Sequence, residues 1–229
     1  MSEFVVPKAV FFDWDGTLVD SFSFLQDIHN YVLDELRLPA RADGWFVDYF
    51  GKERDWIYQD IYGDVEAQAR VLFAEYLVEN HVTVLKAMDG ARDVLDILQA
   101  HGIVCGVVTN KQGDWVRKEI EAFGWGHYFS SVVAAHEAWA DKPSSAPLVK
   151  AVADAGIDAK PDQIWFIGDT DSDMNCAKEY GSPAVLIHPD PVREPWYEDF
   201  DPFAVFDDCR AFHVFLLQNL GKPLQKIAK

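Results

Sequence analysis

The sequence of residues 5–20 is VVPKAVFFDWDGTLVD, in which an apolar run gives way to two aspartates, a glycine and a threonine. A run of Val, Ala and Phe without polar alternation is typical of a strand buried on both faces, as in parallel sheets. Ligands of open α/β sheets bind at the carboxyl ends of such strands. This stretch therefore predicts a buried parallel strand with a functional site at its end.

Four more short apolar runs follow along the chain, and helical patterns accompany most of them. The runs cover 103–108, 131–135, 164–167 and 184–187, and the helical patterns cover 91–100, 116–123, 146–155 and 174–180. This alternation predicts an α/β fold with a doubly wound parallel sheet. Residues 188–202 are rich in Pro and Asp and predict a loop.

The segment after the first strand breaks this alternation, because it contains helical patterns and no buried-strand run. Those patterns cover 22–36, 45–50, 55–62 and 65–80. Such a long stretch without a strand indicates a separate helical unit. We expect residues 1–20 and 88–229 to form the α/β core and residues 21–87 to form an inserted helical lobe.

The composition restricts the partners of the protein. Twenty Lys and Arg residues stand against 38 Asp and Glu, which gives a net charge of −18 that repels nucleic acid and anionic membranes. No apolar run approaches the roughly 20 residues that span a bilayer. Three widely spaced cysteines and the lack of a signal-peptide pattern favour a cytoplasmic protein.

Polar side chains follow four of the predicted strands. They are Asp13 and Asp15, then Thr109 and Asn110, then Lys142, then Asp169 and Asp173. Because the carboxyl ends of parallel strands share one edge of a sheet, we expect these groups to lie together. We also expect Pro143 to occupy the first position of the helix after the third strand.

The chemistry of this group favours a bound cation. Two carboxylates about 4 Å apart repel by roughly 4 kcal/mol at an effective dielectric of 20, so the aspartates need a counter-ion. Oxygen ligands suit a hard divalent cation, most often Mg²⁺ where a phosphate also binds. A carboxylate can attack phosphorus to form an aspartyl phosphate, and a second acid two residues away can protonate the leaving group.

In order and type, the four motifs resemble those of the haloacid dehalogenase superfamily of phosphohydrolases. That pattern is Asp-x-Asp-x-Thr, then Thr or Ser, then Lys, then Gly-Asp-x-x-x-Asp. The corresponding residues are Asp13-Trp14-Asp15-Gly16-Thr17, Thr109, Lys142, and Gly168-Asp169 with Asp173. The Thr109-Asn110-Lys111 and Lys142-Pro143 forms are similar to the phosphoglycolate-phosphatase-like branch, and the helical lobe is similar in position to the superfamily's small helical cap.

The resemblance implies a role for each acidic residue. Asp13 is the implied nucleophile and a Mg²⁺ ligand. Asp15 is the implied general acid and then general base, and its backbone carbonyl also binds the metal. Asp169 is the implied direct metal ligand, and Asp173 is a metal ligand or a partner through water.

The remaining motif residues are implied to bind the substrate. Thr109 and Asn110 hydrogen-bond the phosphoryl oxygens, while Lys142 neutralises them and holds Asp13 ionised. Lys52 and Arg54 lie in a loop of the lobe and are candidates to contact the distal end of the substrate. A solvated loop is the alternative interpretation of these two charges.

The implied activity is Mg²⁺-dependent hydrolysis of a small phosphorylated metabolite, either phosphoglycolate-like or a sugar phosphate. Nucleoside monophosphates and pyridoxal phosphate stay open as substrates. Asp15 disfavours the dehalogenase and phosphonatase branches, which lack an aspartate at this place. A β-phosphoglucomutase-like phosphotransferase is one alternative, although Thr17 is more usual in phosphatases. A non-catalytic phosphometabolite-binding protein is another, but it has no use for a nucleophile and an acid together.

Overall fold

The computed structural model of the protein describes residues 6–49 and 54–221. The chain divides into two compact units, Met1–Val19 with Ala87–Lys229 and Asp20–Lys86. The strands are β1 (Ala9–Phe12), β2 (Val19–Asp20), β3 (Lys86–Ala87), β4 (Val104–Val108), β5 (Phe129–Val133), β6 (Ile164–Gly168), β7 (Ala184–Ile187) and β8 (Ala204–Phe206). The helices are α1 (Ser21–Glu35), α2 (Arg54–Tyr62), α3 (Glu66–Val84), α4 (Ala91–Ala100), α5 (Gly113–Ala122), α6 (Ala146–Asp154), α7 (Asp171–Tyr180) and α8 (Cys209–Asn219).

The larger unit is built on a six-stranded sheet in the order β5-β4-β1-β6-β7-β8, with every described pairing parallel. Strand β1 lies at its centre, where Phe12 is in register with Val107 of β4 and Ile167 of β6. Every residue of β1 and β6 is buried, as expected for strands covered on both faces. The predicted α/β fold with a parallel sheet is confirmed.

Helices α6 and α7 cover one face of this sheet. Leu148 and Ala151 of α6 and Cys176 of α7 pack in one cluster with Phe11 and Phe166. Strand β6 pairs directly with β1, and only two residues separate β6 from α7, so the start of α7 lies beside the end of β1. This pairing places the last acidic motif next to the first.

The structure corrects two interpretations of the sequence. Strand β8 lies beyond the predicted loop and was not expected, since it is only three residues long and partly exposed. The expectation for Pro143 is wrong, because α6 begins only at Ala146 and Pro147 occupies its first turn. The Lys142–Pro143 peptide bond is cis and lies in the loop before the helix.

The smaller unit contains α1, α2 and α3, and a short 3₁₀ segment over Trp45–Tyr49. Asp20 caps the start of α1, where its side chain accepts a hydrogen bond from the backbone N–H of Ser23 at 2.9 Å. The core is aromatic around the buried His29, whose Nδ1 lies 2.7 Å from the hydroxyl of Tyr62. Strands β2 and β3 are two residues each and form a separate two-stranded sheet.

Among all the described residues, no helix has both the length and the hydropathy needed to span a membrane.

Candidate active site

The first motif continues directly from β1 into a tight turn. The backbone N–H of Asp13 still donates to the carbonyl of Ile167 at 2.8 Å, which keeps this residue beside the end of β6. Gly16 then adopts a φ of +80°, and a Cβ atom there would lie 2.3 Å from Oδ2 of Asp169. Glycine is therefore required both for the turn and for the close approach of the two motifs.

Three buried carboxylates meet at this edge of the sheet. Asp13, Asp169 and Asp173 each offer an oxygen, and these atoms all lie within 4.8 Å of one another. Burial, together with the charge of Asp173, raises the pKa of Asp13 to about 7 against the opposing effect of Lys142. Burial and the charges of Asp173 and Asp13 also raise the pKa of Asp169 well above its usual range. Such a group of oxygen ligands fits a hard divalent cation.

Lys142 is the cation at the centre of this group. Its Nζ lies 2.6 Å from Oδ1 of Asp13 and 2.6 Å from Oδ1 of Asp173, and its side chain is only 3% exposed. Burial by itself lowers the pKa of Lys142, but the two carboxylates raise it, so the ammonium stays charged. One ammonium among three carboxylates leaves room for a further positive charge.

Asp173 has both carboxylate oxygens engaged by the protein. While Oδ1 contacts Lys142, Oδ2 accepts hydrogen bonds from the hydroxyl and the N–H of Thr170 at 2.6 and 3.0 Å. Oδ2 also accepts from the N–H of Asp169 at 3.2 Å. The contact with the N–H of Thr170 is part of the capping box of α7, and together these contacts hold the acid in place.

The end of β4 supplies Thr109 and Asn110. Thr109 is buried, and its hydroxyl accepts a hydrogen bond from the N–H of Lys111 at 3.1 Å. The side chain of Asn110 contacts the backbone of Lys142 twice: Oδ1 accepts from its N–H at 3.0 Å, and Nδ2 donates to its carbonyl at 2.9 Å. Asn110 therefore positions the loop that carries Lys142 and Pro143 ahead of α6.

Asp15 lies at the edge of the carboxylate group and has its own cation. Its side chain is 35% exposed, and Oδ1 lies 2.8 Å from Nζ of Lys111. Lys111 also contacts Oε1 of Glu119 on α5 at 2.7 Å. Neither Lys111 nor Glu119 was among the expected site residues. The missed signal is a charge at position 119 on the apolar face of α5, between the buried Val116 and Ile120.

The two candidate specificity residues of the smaller unit cannot be placed in the same way. Lys52 lies outside the described residues. For Arg54 only the backbone at the start of α2 is described. Their contribution stays a prediction.

The chain is similar to known hydrolases over most of its length. Residues 10–187 match the family model of haloacid dehalogenase-like hydrolases. A phosphoglycolate phosphatase of Mannheimia succiniciproducens is 30% identical over 190 residues, which cover 78% of this chain and 84% of that protein. The phosphoglycolate phosphatase of Escherichia coli K12 is 30% identical over 210 residues, covering 81% of this chain and 82% of that protein.

Two solved structures share the fold. A HAD-superfamily hydrolase from Ehrlichia chaffeensis aligns with a TM-score of 0.65 at 25% identity, over 96% of this chain and all of that one. A HAD-superfamily hydrolase from Geobacter sulfurreducens aligns with a TM-score of 0.75 at 21% identity, over 94% and 99% of the two chains. Because the family match spans residues 10–187 and so includes all four motifs, this chain belongs to the haloacid dehalogenase-like hydrolase family.

Proposed function

We propose that the protein is a Mg²⁺-dependent phosphatase that hydrolyses a small phosphomonoester through an aspartyl phosphate on Asp13. The observation that carries this proposal is the buried group of Asp13, Asp169 and Asp173, with Lys142 at 2.6 Å from two of the three. A nucleophile, an oxygen ligand set and a fixed cation at one sheet edge are the parts that phosphoryl transfer needs.

Asp13 is the nucleophile in this proposal. Lys142 holds Oδ1, so the carboxylate has a fixed orientation toward the incoming phosphorus. An oxygen of Asp13 forms the new bond to phosphorus while the bond from phosphorus to the leaving oxygen breaks. Asp13, Asp169 and the backbone carbonyl of Asp15 would hold Mg²⁺, which would supply positive charge beside Asp13 and the phosphoryl oxygens.

Asp173 has a supporting role in this arrangement. Because both of its oxygens already accept hydrogen bonds or contact Lys142, we assign it a contact to the metal through water in preference to direct ligation. Thr109 and Lys142 bind the phosphoryl oxygens. Asn110 acts on the same oxygens through its backbone, while its side chain holds Lys142.

Asp15 is the proton carrier. In the first step it gives its proton to the leaving alkoxide, which departs as the alcohol. In the second step its carboxylate takes a proton from the water that attacks the aspartyl phosphate, so free phosphate leaves and Asp13 is restored. The partial exposure of Asp15 supports this role, since the leaving group must reach it.

The substrate is a small phosphorylated metabolite in this proposal. The named activity of the relatives at 30% identity supports phosphoglycolate as the first compound to test. The net charge of −18 argues against phosphorylated polyanions such as nucleic acid. We assign residues 1–20 and 88–229 to catalysis, and we assign residues 21–87, including Lys52 and Arg54, to a cap that sets substrate choice.

The test is phosphate release from p-nitrophenyl phosphate, phosphoglycolate and a panel of sugar and nucleoside phosphates, with Mg²⁺ and with EDTA. We expect EDTA and Asp13→Asn each to abolish release, and acid-quenched wild-type protein to yield a phosphorylated peptide that contains Asp13. Asp171→Asn is the matched control, because this exposed aspartate of the fourth motif should tolerate the same change. Activity that survives EDTA, or that persists in Asp13→Asn, would contradict the proposal.

A further inference from the structure

Glu119 is a buried carboxylate that the proposed mechanism does not use. It lies on α5 and is 0% exposed. A buried carboxylate is costly unless it is paired with a positive charge and hydrogen-bonded. Glu119 has both a positive charge and a hydrogen bond beside it. The hydrogen-bond donor, Trp14, belongs to the first motif, and the positive charge, Lys111, contacts that motif at Asp15.

The first partner of Glu119 is Trp14, which stands between Asp13 and Asp15 in the sequence. The indole N–H donates to Oε2 of Glu119. The Trp14 ring is fully buried and makes edge contacts with Trp125 at 5.9 Å and Phe129 at 6.2 Å between ring centroids. Packing therefore fixes the direction of the N–H, and this N–H fixes the carboxylate.

The second partner is Lys111, which Glu119 shares with Asp15. Its Nζ lies 2.7 Å from Oε1 of Glu119 and 2.8 Å from Oδ1 of Asp15. A lysine side chain is flexible, and a fixed anion on one side is what confines its ammonium group. The contacts form a closed path from Trp14 through Glu119 and Lys111 back to Asp15, the next residue in the chain.

Only one oxygen of Asp15 is held in this path. Oδ1 contacts Lys111, whereas Oδ2 accepts no hydrogen bond from the described part of the chain. Proton transfer needs a donor oxygen about 3 Å from its target, and a displacement of about 1 Å can cost roughly 100-fold in rate. Asp15 is partly exposed and lies in a turn, so contact with another residue is what fixes the position of its carboxylate.

We propose that Trp14 and Glu119 are positioning residues that hold Lys111, so that Lys111 tethers Asp15 through Oδ1 and leaves Oδ2 directed to the leaving group. This inference rests on the proposed function, in which Asp15 is the general acid.

Comparing two leaving groups separates this positioning role from a merely structural one. A structural defect would not lower the activity toward one class of ester more than toward the other. p-Nitrophenolate is a weak base that departs with little protonation, whereas an alkoxide needs the proton of the general acid. The kcat/KM value reports on formation of the aspartyl phosphate, the step in which the leaving group departs. Damage to the positioning of Asp15 should therefore lower kcat/KM for an alkyl phosphate more than for p-nitrophenyl phosphate.

Three variants break the path without removing Asp15. Glu119→Gln keeps the shape and an acceptor for Trp14 but removes the charge that confines Lys111. The double variant Lys111→Met with Glu119→Gln removes both charges, which avoids the uncompensated buried carboxylate that Lys111→Met alone would leave. Trp14→Phe removes the N–H and keeps an aromatic ring. Lys118→Met is the matched control, because Lys118 is exposed and adjacent to Glu119 on α5.

Assays with Mg²⁺ compare p-nitrophenyl phosphate with the best alkyl phosphate of the panel, after circular dichroism has confirmed folding. We expect Glu119→Gln and Trp14→Phe to lower kcat/KM for the alkyl ester about 10-fold, and the double variant about 100-fold, with losses under about 3-fold for the aryl ester. Lys118→Met should retain wild-type values for both. Equal losses on the two esters in the variants that fold, or no loss, would overturn this inference alone. A wild-type protein that hydrolyses neither ester would overturn the proposed function and this inference with it.

Discussion

Replacing Lys142 with methionine tests how far the group of buried carboxylates at the sheet edge is held together by one buried cation. Lys142 contacts Asp13 and Asp173 at 2.6 Å each, and all three side chains are at most 10% exposed. Methionine keeps the length and most of the packing of the lysine stem. The variant therefore removes the charge and leaves the carboxylates without their protein counter-ion.

The size of the effect follows from burial and from protonation. Each contact is worth about 6 kcal/mol of gross attraction at an effective dielectric of 20, most of which is offset by desolvation. Removing one partner of a buried ion pair costs about 3–5 kcal/mol, because the remaining charge is uncompensated. Burial raises the pKa of Asp13 to about 7 even beside Lys142, so a proton can replace the lost cation. We therefore expect about 3 kcal/mol at pH 7, near the lower end of that range.

The sign of the pH dependence follows from the same shift. An acid whose folded-state pKa is raised binds more protons in the folded than in the unfolded chain, so stability falls as pH rises between the two pKa values. Because Lys142 lowers the pKa of Asp13, its loss raises that pKa further, and the pH range over which stability falls extends above pH 7. The deficit of the variant relative to the wild type should therefore be larger at pH 8 than at pH 6.

The assay is urea unfolding in EDTA, followed by the fluorescence of the eight tryptophans, at pH 6 and pH 8. Lys150→Met is the matched control, because Lys150 contacts Asp154 at the same 2.6 Å but both side chains are more than a third exposed. Exposed pairs of this kind contribute about 0.5 kcal/mol or less. If Lys142→Met costs no more than Lys150→Met, the group is not held by the buried cation and the reasoning is refuted.

Three further predictions concern the metal, the first turn and the last helix. Mg²⁺ should raise the thermal unfolding midpoint in scanning fluorimetry more at pH 8 than at pH 5.5. Burial raises the pKa of Asp13 to about 7, so protons compete with Mg²⁺ for this carboxylate below that pH. Asp169→Asn should remove most of the increase caused by Mg²⁺. Gly16→Ala should cost about 1–3 kcal/mol in urea unfolding and weaken the Mg²⁺ effect, since its Cβ would meet Asp169 at 2.3 Å. Asp208→Ala should cost about 1 kcal/mol at pH 7 through loss of the α8 cap to Ala211, and Asp208→Asn less. The hydrogen bond from Ala211 lowers the pKa of Asp208, so the cap's contribution is present above about pH 4 and is lost as pH falls through the lowered value. Unfolding curves for Asp208→Ala that differ from wild type equally at pH 3 and pH 7 would contradict this.

The edge of the sheet that carries the site could be predicted from sequence because its determinants are local. An apolar run long enough for one buried strand, followed at once by Asp13 or Asp169, specifies both the strand and the side at which the acid emerges. Parallel pairing then brings such ends together whatever their order in the chain. For this reason the positions of the predicted acids needed no knowledge of the helices around them.

The partners of those acids could not be predicted, since they depend on packing between distant elements. Glu119 acquires its role only when α5 lies against Trp14, which is 105 positions away in sequence. The loop before α6 is shaped by two hydrogen bonds between the Lys142 backbone and the side chain of Asn110, which lies 32 positions upstream, and no helix-start rule includes such contacts. Strand β8 pairs with β7 through three residues, too few for a periodic pattern.

Lys142 and Lys111 each lie between two carboxylates, and this arrangement affects the order in which Mg²⁺ and phosphate bind. Lys142 lies between Asp13 and the fully buried Asp173, and Lys111 lies between Asp15 and the fully buried Glu119. Each lysine thus contacts one of the two acids proposed to react, Asp13 or Asp15, and is confined by a second acid that is not proposed to react. Neither lysine is a surplus positive charge. With Asp169 included, the acids still outnumber the lysines, so a phosphate dianion approaching the metal-free site meets net negative charge within a protein that is itself at −18. We therefore expect phosphate analogues such as vanadate to bind only when Mg²⁺ is present, because the divalent cation is what reverses the local sign.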